Sequence, residues 1–350
     1  MNEKLYNKVL GCLMGGAIGD AMGAPTEGLS KAEIQEIYGH RISGYVDGKD
    51  NKYSYGNFIG EITDDASQMY EMAKAVADCN GDLTVEAAAQ ALVRWSESYP
   101  KYYPRNAGAT TSKVIAELKA GKDPIELGKI GQYVGRGTTN GAAMRVAAAG
   151  LTAPGDWDKA VENAAIMCSP SHGTQHAFSG ACAIACGISE ALTDGATTVS
   201  VVKACVYGAR KGEELGNVRG RRAEGIRVSN NLGTAMREAL LAESLEDAED
   251  RLDAWVGADG SIQASTAVAV GLFLATDGNV EQTILGCANI GGDSDTNACI
   301  AGSLVGALRG ADAFPKDWVA QMKHANPTLD LEQVALRLTQ ICESREKASC

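Results

Sequence analysis

Residues 4–23, KLYNKVLGCLMGGAIGDAMG, carry glycines at positions 11, 15, 19 and 23. A spacing of four residues places all four on one face of a helix. Each glycine destabilises a helix by roughly 0.5–1 kcal/mol relative to alanine. Four in succession therefore predict that a second backbone packs closely against this face, which we call the glycine ridge. Asp20 places a charge beside that packing surface, and so we expect it to be buried with hydrogen-bonding partners.

The rest of the chain has the pattern of a succession of helices. The sequence has 350 residues, of which 45% are apolar and only 5% aromatic, with 41 glycines. Such a composition favours helices packed through small side chains over a β-sandwich, which draws on Val, Thr and aromatic residues. Strand-like runs are short and few, and no linker divides the chain. We predict one large all-α domain over residues 1–350, with an irregular, basic and mobile surface segment at about 213–234.

Charge and cysteine usage narrow the class of protein. Lys and Arg number 32 against 44 Asp and Glu, which gives a net charge of −12. A nucleic acid is therefore excluded as a general partner, because its binding needs a basic surface, whereas a small anionic ligand beside bound cations is not excluded. The 10 cysteines follow no disulfide or zinc spacing and predict core residues in a reducing, cytoplasmic environment. Glycines and Asp20 interrupt the apolar run at the start, so neither a signal peptide nor a membrane span is expected.

Two short acidic motifs lie far apart in the chain: Thr63-Asp64-Asp65 and Asp293-Ser294-Asp295-Thr296. Each begins a helix-like run, and each alone is explained by helix capping, since Thr and Asp are common at the N-cap and in the first turn. Together they offer carboxylates and hydroxyls only, the set that hard cations such as Mg²⁺, Mn²⁺ and Ca²⁺ prefer. If the fold joins the motifs, cations have to neutralise four crowded Asp carboxylates. The chain is therefore predicted to be a metal-dependent enzyme.

Three loops hold further candidate residues. Glu27 follows the ridge helix in a tight turn and is either a solvated carboxylate or part of a site. Asn140, Gly141 and Arg145 form a glycine-rich junction before a helix, whose backbone N–H groups could cradle a phosphate. A glycine turn with Arg145 in an ion pair is the equal alternative. His172 is one of only 4 histidines, which gives little support to a histidine-driven mechanism and leaves it as a ligand contact from a loop.

Five stretches taken together resemble the ADP-ribosylglycohydrolases, the group that includes the dinitrogenase-reductase-activating glycohydrolases. They occur in the family's order over residues 8 to about 318: GCLMGGAIGDAMGAPTEG, GEITDDASQM, GRGTTNGAAMRVAAAG, SPSHGTQHAFSGACAIACGISEA, and NIGGDSDTNACIAGSLVGALRG followed by Pro315 and Trp318. The resemblance implies an all-α fold, a single large orthogonal helical bundle, with two Mg²⁺ ions or alternatively Mn²⁺. It implies these metal ligands: Thr63, Asp64, Asp65, Asp293, Asp295 and Thr296.

The resemblance also implies roles in catalysis and substrate binding. It places Glu27 at the reaction centre, with Asp65 and Asp293 as the further catalytic carboxylates. It places Asn140, Gly141 and His172 around the ADP-ribose. The implied reaction is hydrolysis of the glycosidic bond at C1″ of ADP-ribose. It would release ADP-ribose from the acceptor that carries it on a modified protein, such as an arginine side chain.

Departures from the family pattern keep a second function open. Ala66 follows the second Asp where the family often has Thr, and the run SHGTQHA replaces the SHxHP type of many protein-directed members. A clear basic clamp for a pyrophosphate is missing beyond Arg136 and Arg145. The alternative is a hydrolase of a smaller N-ribosyl compound, such as a nucleoside, in metabolite salvage. A non-enzymatic binding protein of the same fold is disfavoured because both Asp pairs are intact.

Overall fold

The computed structural model describes residues 1–129 and 137–349. Within these ranges the regular structure is helical, and pairing between extended segments is limited to isolated bridges such as Ser30 with Gly291. The prediction of an all-α fold is confirmed. Arg136, considered above as a phosphate clamp, lies outside the described residues. In the described ranges no helix combines the length and the apolar character that crossing a membrane requires.

The helices follow one another through short connections. In chain order they are α1 (Glu3–Gly23), a 3₁₀ turn (Ala24–Thr26), α2 (Lys31–Tyr38), α3 (Asp64–Asp78), α4 (Val85–Ser98), α5 (Ala109–Lys119), α6 (Pro124–Lys129), α7 (Gly141–Met144), α8 (Ala147–Leu151), α9 (Trp157–Cys168), α10 (Gln175–Ala191), α11 (Thr198–Arg219), α12 (Val228–Leu241), α13 (Leu245–Trp255), α14 (Ile262–Ala275), α15 (Val280–Ile290), α16 (Ser294–Arg309), a second 3₁₀ turn (Ala311–Ala313), α17 (Lys316–Ala325) and α18 (Leu331–Ser349).

The glycine ridge packs directly on the backbone of α16, as its spacing predicts. A Cβ atom on any of the four ridge glycines would lie closer than 3.0 Å to a backbone carbonyl oxygen of α16. From the first ridge glycine to the last, these carbonyls belong to Gly306, Gly302, Ala298 and Ser294. The order shows that the two helices run antiparallel. The end of α1, which leads to Glu27, therefore lies beside the start of α16, which carries the second acidic motif.

Cysteines and other small residues fill the remaining helix contacts. Gly208 and Gly212 of α11 lie against the backbone of α10, where a Cβ on either would come closer than 3.0 Å to a carbonyl oxygen. The described cysteines are free thiols, and all are buried except the half-buried Cys79. The prediction that they are core residues is confirmed for this part of the chain.

The prediction of an irregular segment at about 213–234 is wrong over most of that range. Helix α11 continues to Arg219 and α12 begins at Val228, so only residues 220–227 are non-helical. The physical reason is that the glycines of α11 pack on α10, which stabilises a helix that local propensity alone disfavours. Residues 220–227 are anchored as well, since Arg221 N donates to Gly173 O (2.7 Å) and Ala223 N to Gln175 Oε1 (2.7 Å).

Candidate active site

The first acidic motif is fixed on α1 by Asp20. The Asp20 carboxylate is fully buried and accepts hydrogen bonds from Thr63 N (2.9 Å), Thr63 Oγ1 (2.7 Å) and Ala66 N (2.8 Å). These donors belong to the N-cap and first turn of α3, where backbone N–H groups have no partner within the helix. Burial raises the pKa of Asp20 to about 6, and the same hydrogen bonds oppose that rise. The expectation that Asp20 is buried with partners is confirmed.

The second acidic motif is fixed on the Glu27 loop by two glycines. Gly291 and Gly292 adopt φ angles of +82° and +66°, which side-chain-bearing residues rarely do. Gly28 N donates to Gly292 O (2.6 Å), and Gly292 N donates to Leu29 O (2.8 Å). The chain segment that carries Glu27 is thus held against the start of α16 by backbone hydrogen bonds.

The two motifs and Glu27 meet at one place. Thr296 Oγ1 donates to Asp65 Oδ1 (2.6 Å), which joins the start of α16 to the start of α3. Carboxylate oxygens of Glu27, Asp293 and Asp295 all lie within 4.8 Å of one another, an arrangement that could hold a metal ion. Ser294 instead donates to Gly23 O (3.0 Å) and belongs to the helix contact.

The electrostatics of this acidic cluster, formed by Glu27, Asp64, Asp65, Asp293 and Asp295, favour a cation. In the described part of the chain no salt bridge ends on these carboxylates, although the Arg145 charge, which reaches Asp64 through Gln68, lowers the pKa of Asp64 in part. Burial, followed by repulsion from neighbouring carboxylates, raises the pKa of Glu27, Asp64, Asp65 and Asp295 well above the ordinary values. The carboxylate oxygens outnumber the single nearby protein cation, Arg145, and they fit the donor set of Mg²⁺ or Mn²⁺.

Asn140 forms the facing side of the acidic cluster. Its Nδ2 donates to Asp293 Oδ2 (2.6 Å) and to Ser265 Oγ (2.9 Å), while its backbone N donates to Gly260 O (3.1 Å). Gly141 follows at the start of α7, where an added Cβ would lie 3.1 Å from the ring of His172. The structure therefore brings Asn140, Gly141 and His172 together on one side of the cluster.

His172 and Arg145 lie behind that loop. His172 is fully buried, with Nε2 bonded to Thr139 Oγ1 (2.9 Å) and Nδ1 to Arg145 Nη2 (3.0 Å). Arg145 is 1% exposed, and its guanidinium also bonds Gln68 Oε1 and Ser171 Oγ. Its side chain is thus committed to protein groups, and it makes neither a phosphate clamp nor the ion pair considered from the sequence.

Sequence reasoning missed Gln68, Ser171 and Ser265. Gln68 carried a readable signal, because it follows Asp64 by four residues and so lies on the same helix face. Ser171 and Ser265 carried none, since serines are common in loops and in small-residue helices, and their partners lie far away in the sequence.

Comparison with known proteins is consistent with this geometry. The family model described as ADP-ribosylglycohydrolase matches residues 1–348. YegU of Escherichia coli K12, described as uncharacterized, is 29% identical over 342 residues, which cover 97% of this chain and 98% of YegU. The ADP-ribosyl-(dinitrogen reductase) glycohydrolase of Rhodospirillum rubrum is 24% identical over 336 residues, or 91% of each chain.

The fold agrees with a solved structure as well. A chain of an ADP-ribosylglycohydrolase-related protein complex superposes with a TM-score of 0.65 and 21% identity, covering 97% of this chain and 99% of the other. Since the family model spans nearly every residue, including both acidic motifs, the chain belongs to the ADP-ribosylglycohydrolase family.

Proposed function

We propose that the protein is a magnesium-dependent hydrolase that cleaves the glycosidic bond at C1″ of ADP-ribose, releasing it from a modified acceptor such as an arginine side chain. The observation that carries the proposal is the acidic cluster, in which Glu27 and both Asp motifs converge with no salt bridge to a basic side chain in the part of the chain that the structure describes. The name of the Rhodospirillum rubrum relative supports the ADP-ribosyl substrate.

The ions would be held by oxygen atoms that already converge in the fold. We assign as ligands Thr63, Asp64, Asp65, Asp293, Asp295 and Thr296. When bound, two Mg²⁺ ions would supply Lewis-acid polarisation of the ribose hydroxyls and lower the pKa of a water molecule.

Glu27 is the group we assign to proton transfer. It is the member of the acidic cluster that lies on a loop, directly after the first 3₁₀ turn, and it is partly exposed, unlike Asp295. Burial and the repulsion of Asp293 raise the pKa of Glu27, which brings it nearer to the working range of a general base. We propose that Glu27 accepts the proton of the attacking water while Asp65 and Asp293 place negative charge around an oxocarbenium-like C1″.

The decisive experiment measures ADP-ribose released from arginine-ADP-ribosylated protein, with Mg²⁺ and with excess chelator, beside a panel of nucleosides. Release that requires Mg²⁺, together with silence on the nucleosides, is the expected result. Turnover of a nucleoside with none of the modified protein would move the function to a smaller ribosyl compound. Inactivity on both substrate classes, with no Mg²⁺ binding by calorimetry, would remove the enzymatic assignment.

One observation favours the second candidate, a hydrolase of a small N-ribosyl compound. Arg145 is buried and bonded to protein groups, so it offers no charge to a pyrophosphate. A ribose clamp on the acidic cluster would serve a nucleoside equally well. Competition separates the two, because ADP-ribose should inhibit the first kind of enzyme strongly, whereas ribose or a nucleoside should inhibit the second.

A further inference from the structure

We propose that Arg145 is a positioning residue that holds His172 in the neutral tautomer with its hydrogen on Nε2 and so fixes the loop of Thr139 and Asn140 relative to Asp64. The contacts stand independently of the reaction, whereas the kinetic part of the test rests on the proposed function. The argument has three steps, from Asp64 through Arg145 to the loop.

The first step joins Asp64 to Arg145 through one amide. Gln68 is 1% exposed, and its Nε2 donates to Asp64 Oδ2 (2.9 Å). Its Oε1 accepts from Arg145 Nη1. Because an amide has a donor end and an acceptor end, this orientation is the one that satisfies both the carboxylate and the guanidinium. Arg145 is thereby tied to a residue that we assign as a metal ligand.

The second step fixes the protonation of His172. Arg145 Nη2 lies 3.0 Å from His172 Nδ1 and 3.0 Å from Ser171 Oγ, and Ser171 Oγ itself lies 2.8 Å from Nδ1. The serine hydroxyl can either donate or accept, so the guanidinium decides between the two tautomers. A guanidinium can only donate, so Nδ1 has to be the acceptor and carries no hydrogen. Burial, with the Arg145 charge, keeps the pKa of His172 well below its usual range. A neutral imidazole without hydrogen on Nδ1 carries it on Nε2.

In the third step, His172 fixes the position of the loop beside the acidic cluster. His172 Nε2–H donates to Thr139 Oγ1 (2.9 Å), and the next residue, Asn140, donates to Asp293 Oδ2 (2.6 Å). A series of hydrogen bonds, which we call the polar path, therefore links the two acidic motifs. It runs from Asp64 through Gln68, Arg145, His172 and the loop to Asp293. Metal affinity and the position of the substrate loop should be coupled through it.

The direct test is a ¹⁵N spectrum of the histidine side chains of the full chain, which has only 4 histidines. We expect His172 to be neutral, with hydrogen on Nε2, from pH 5 to pH 8. In Arg145→Lys the charge is kept, but a single nitrogen replaces the separate Nη1 and Nη2 that reach Gln68 and the Ser171–His172 pair, so a mixture of tautomers is expected. A His172 that titrates in this range, or carries hydrogen on Nδ1 in the unaltered protein, overturns the proposal.

Two milder variants keep the test decisive if Arg145→Lys does not fold. Thr139→Val changes an exposed side chain and removes the acceptor of the His172 Nε2–H. We expect it to raise KM for the ADP-ribosyl substrate about tenfold and, because the loop also bonds Asp293, to weaken Mg²⁺ binding by less than Gln68→Met does. Gln68→Met breaks the path at Asp64 and should weaken Mg²⁺ binding by about 10–100-fold, measured by calorimetry without turnover.

The double variant and a matched control complete the design. The effects of Gln68→Met and Thr139→Val on KM should combine to less than their product, because both interrupt one path. Thr234→Val, on the distant helix α12, makes the same chemical change and should alter neither quantity. Fully multiplicative effects, or a Gln68→Met protein with unchanged Mg²⁺ affinity, would contradict the coupling. The spectrum and the calorimetry keep their meaning if the substrate is a nucleoside.

Discussion

The Asp295 carboxylate has neighbours of its own sign and almost no access to water. It is 3% exposed, and burial with the charges of Glu27 and Asp65 raises its pKa well above the ordinary value. Its hydrogen bonds are modest: Thr296 N donates to Oδ1 (2.9 Å), and Thr63 Oγ1 lies 3.4 Å from Oδ2. The negative charge of this side chain therefore opposes folding and has to serve another purpose.

For that reason Asp295→Asn should separate function from folding. We expect turnover to fall at least about 100-fold, because a ligand and a charge are lost together. The fold should survive, since the amide has the same shape and relieves the repulsion. Steady-state release of product and a thermal melt of the metal-free protein measure the two effects.

Asp312→Asn provides the matched control for this prediction. Asp312 is exposed in the second 3₁₀ turn, and its substitution makes the same chemical change away from the cluster. Its turnover should equal that of the unaltered protein. An Asp295→Asn enzyme with near-normal turnover would show that the acidic cluster is not the reaction site.

Single residues differed in how well their place in the structure could be predicted from the sequence. The positions of Asp64 and Asp295 were readable because each lies in the first turn of a helix, where acidic side chains are favoured. The role of Arg145 was not, because a guanidinium in a glycine-rich junction can face a ligand or the core. Only the tertiary contacts with Gln68 and Ser171 decide between these two.

At the scale of elements, the contact between α1 and α16 sets the geometry of the site. The ridge glycines bring the two backbones together at every turn, so the position of α1 along α16 is fixed. Because the helices run antiparallel, the Glu27 loop and the start of α16 adjoin. An added methyl group anywhere in the ridge should therefore be costly.

Gly19→Ala tests the close contact. The new Cβ would lie closer than 3.0 Å to the carbonyl oxygen of Ala298, and neither backbone can move without shifting a whole helix. We expect a loss of about 2–4 kcal/mol in the free energy of unfolding, measured by denaturant titration. The gain in helix propensity from alanine is only about 1 kcal/mol and cannot offset this.

Gly233→Ala is the control, because it makes the same substitution in the middle of α12 with nothing within 4 Å of the new Cβ. Here the propensity gain should appear alone, as a stabilisation of about 0.5–1 kcal/mol. Equal effects of the two substitutions would contradict the close packing of α1 on α16.

Element boundaries were predictable where local signals and tertiary contacts agree. The helix predicted over residues 4–23 matches α1 (Glu3–Gly23) to within one residue. The extension of α11 to Arg219 was missed. By local propensity its glycines predict the end of a helix, whereas in the structure they form the face that packs on α10. Local sequence alone cannot distinguish a helix end from a packing face, because the difference depends on the position of α10.

For the whole molecule, the acidic cluster connects stability to pH and to metal. The raised pKa values mean that the folded protein holds more protons than the unfolded chain above about pH 4, where unfolded carboxyl groups ionise. Without metal, the free energy of unfolding should therefore decrease as the pH rises from about 4 through 6, the value for Asp20, and beyond. Cations and protons compete for the same oxygens.

The rise in Tm produced by Mg²⁺ should consequently be larger at pH 8 than at pH 5.5. Thermal melts at the two pH values, with Mg²⁺ or with NaCl of equal ionic strength, measure this difference. In Asp295→Asn the dependence on Mg²⁺ should be much smaller at both values. A Tm shift that is the same at both pH values would show that Mg²⁺ binds away from the buried carboxylates.

The contact between Gly23 and Ser294 has a consequence for biosynthesis. These residues are 271 positions apart, so a ribosome that adds about 5–20 residues per second needs on the order of 15–50 s to make the second after the first. During that interval the emerging chain presents a glycine-lined helix whose partner has not yet been translated. The acidic cluster can form only near the end of translation, and we expect the unfinished protein to depend on chaperones until then.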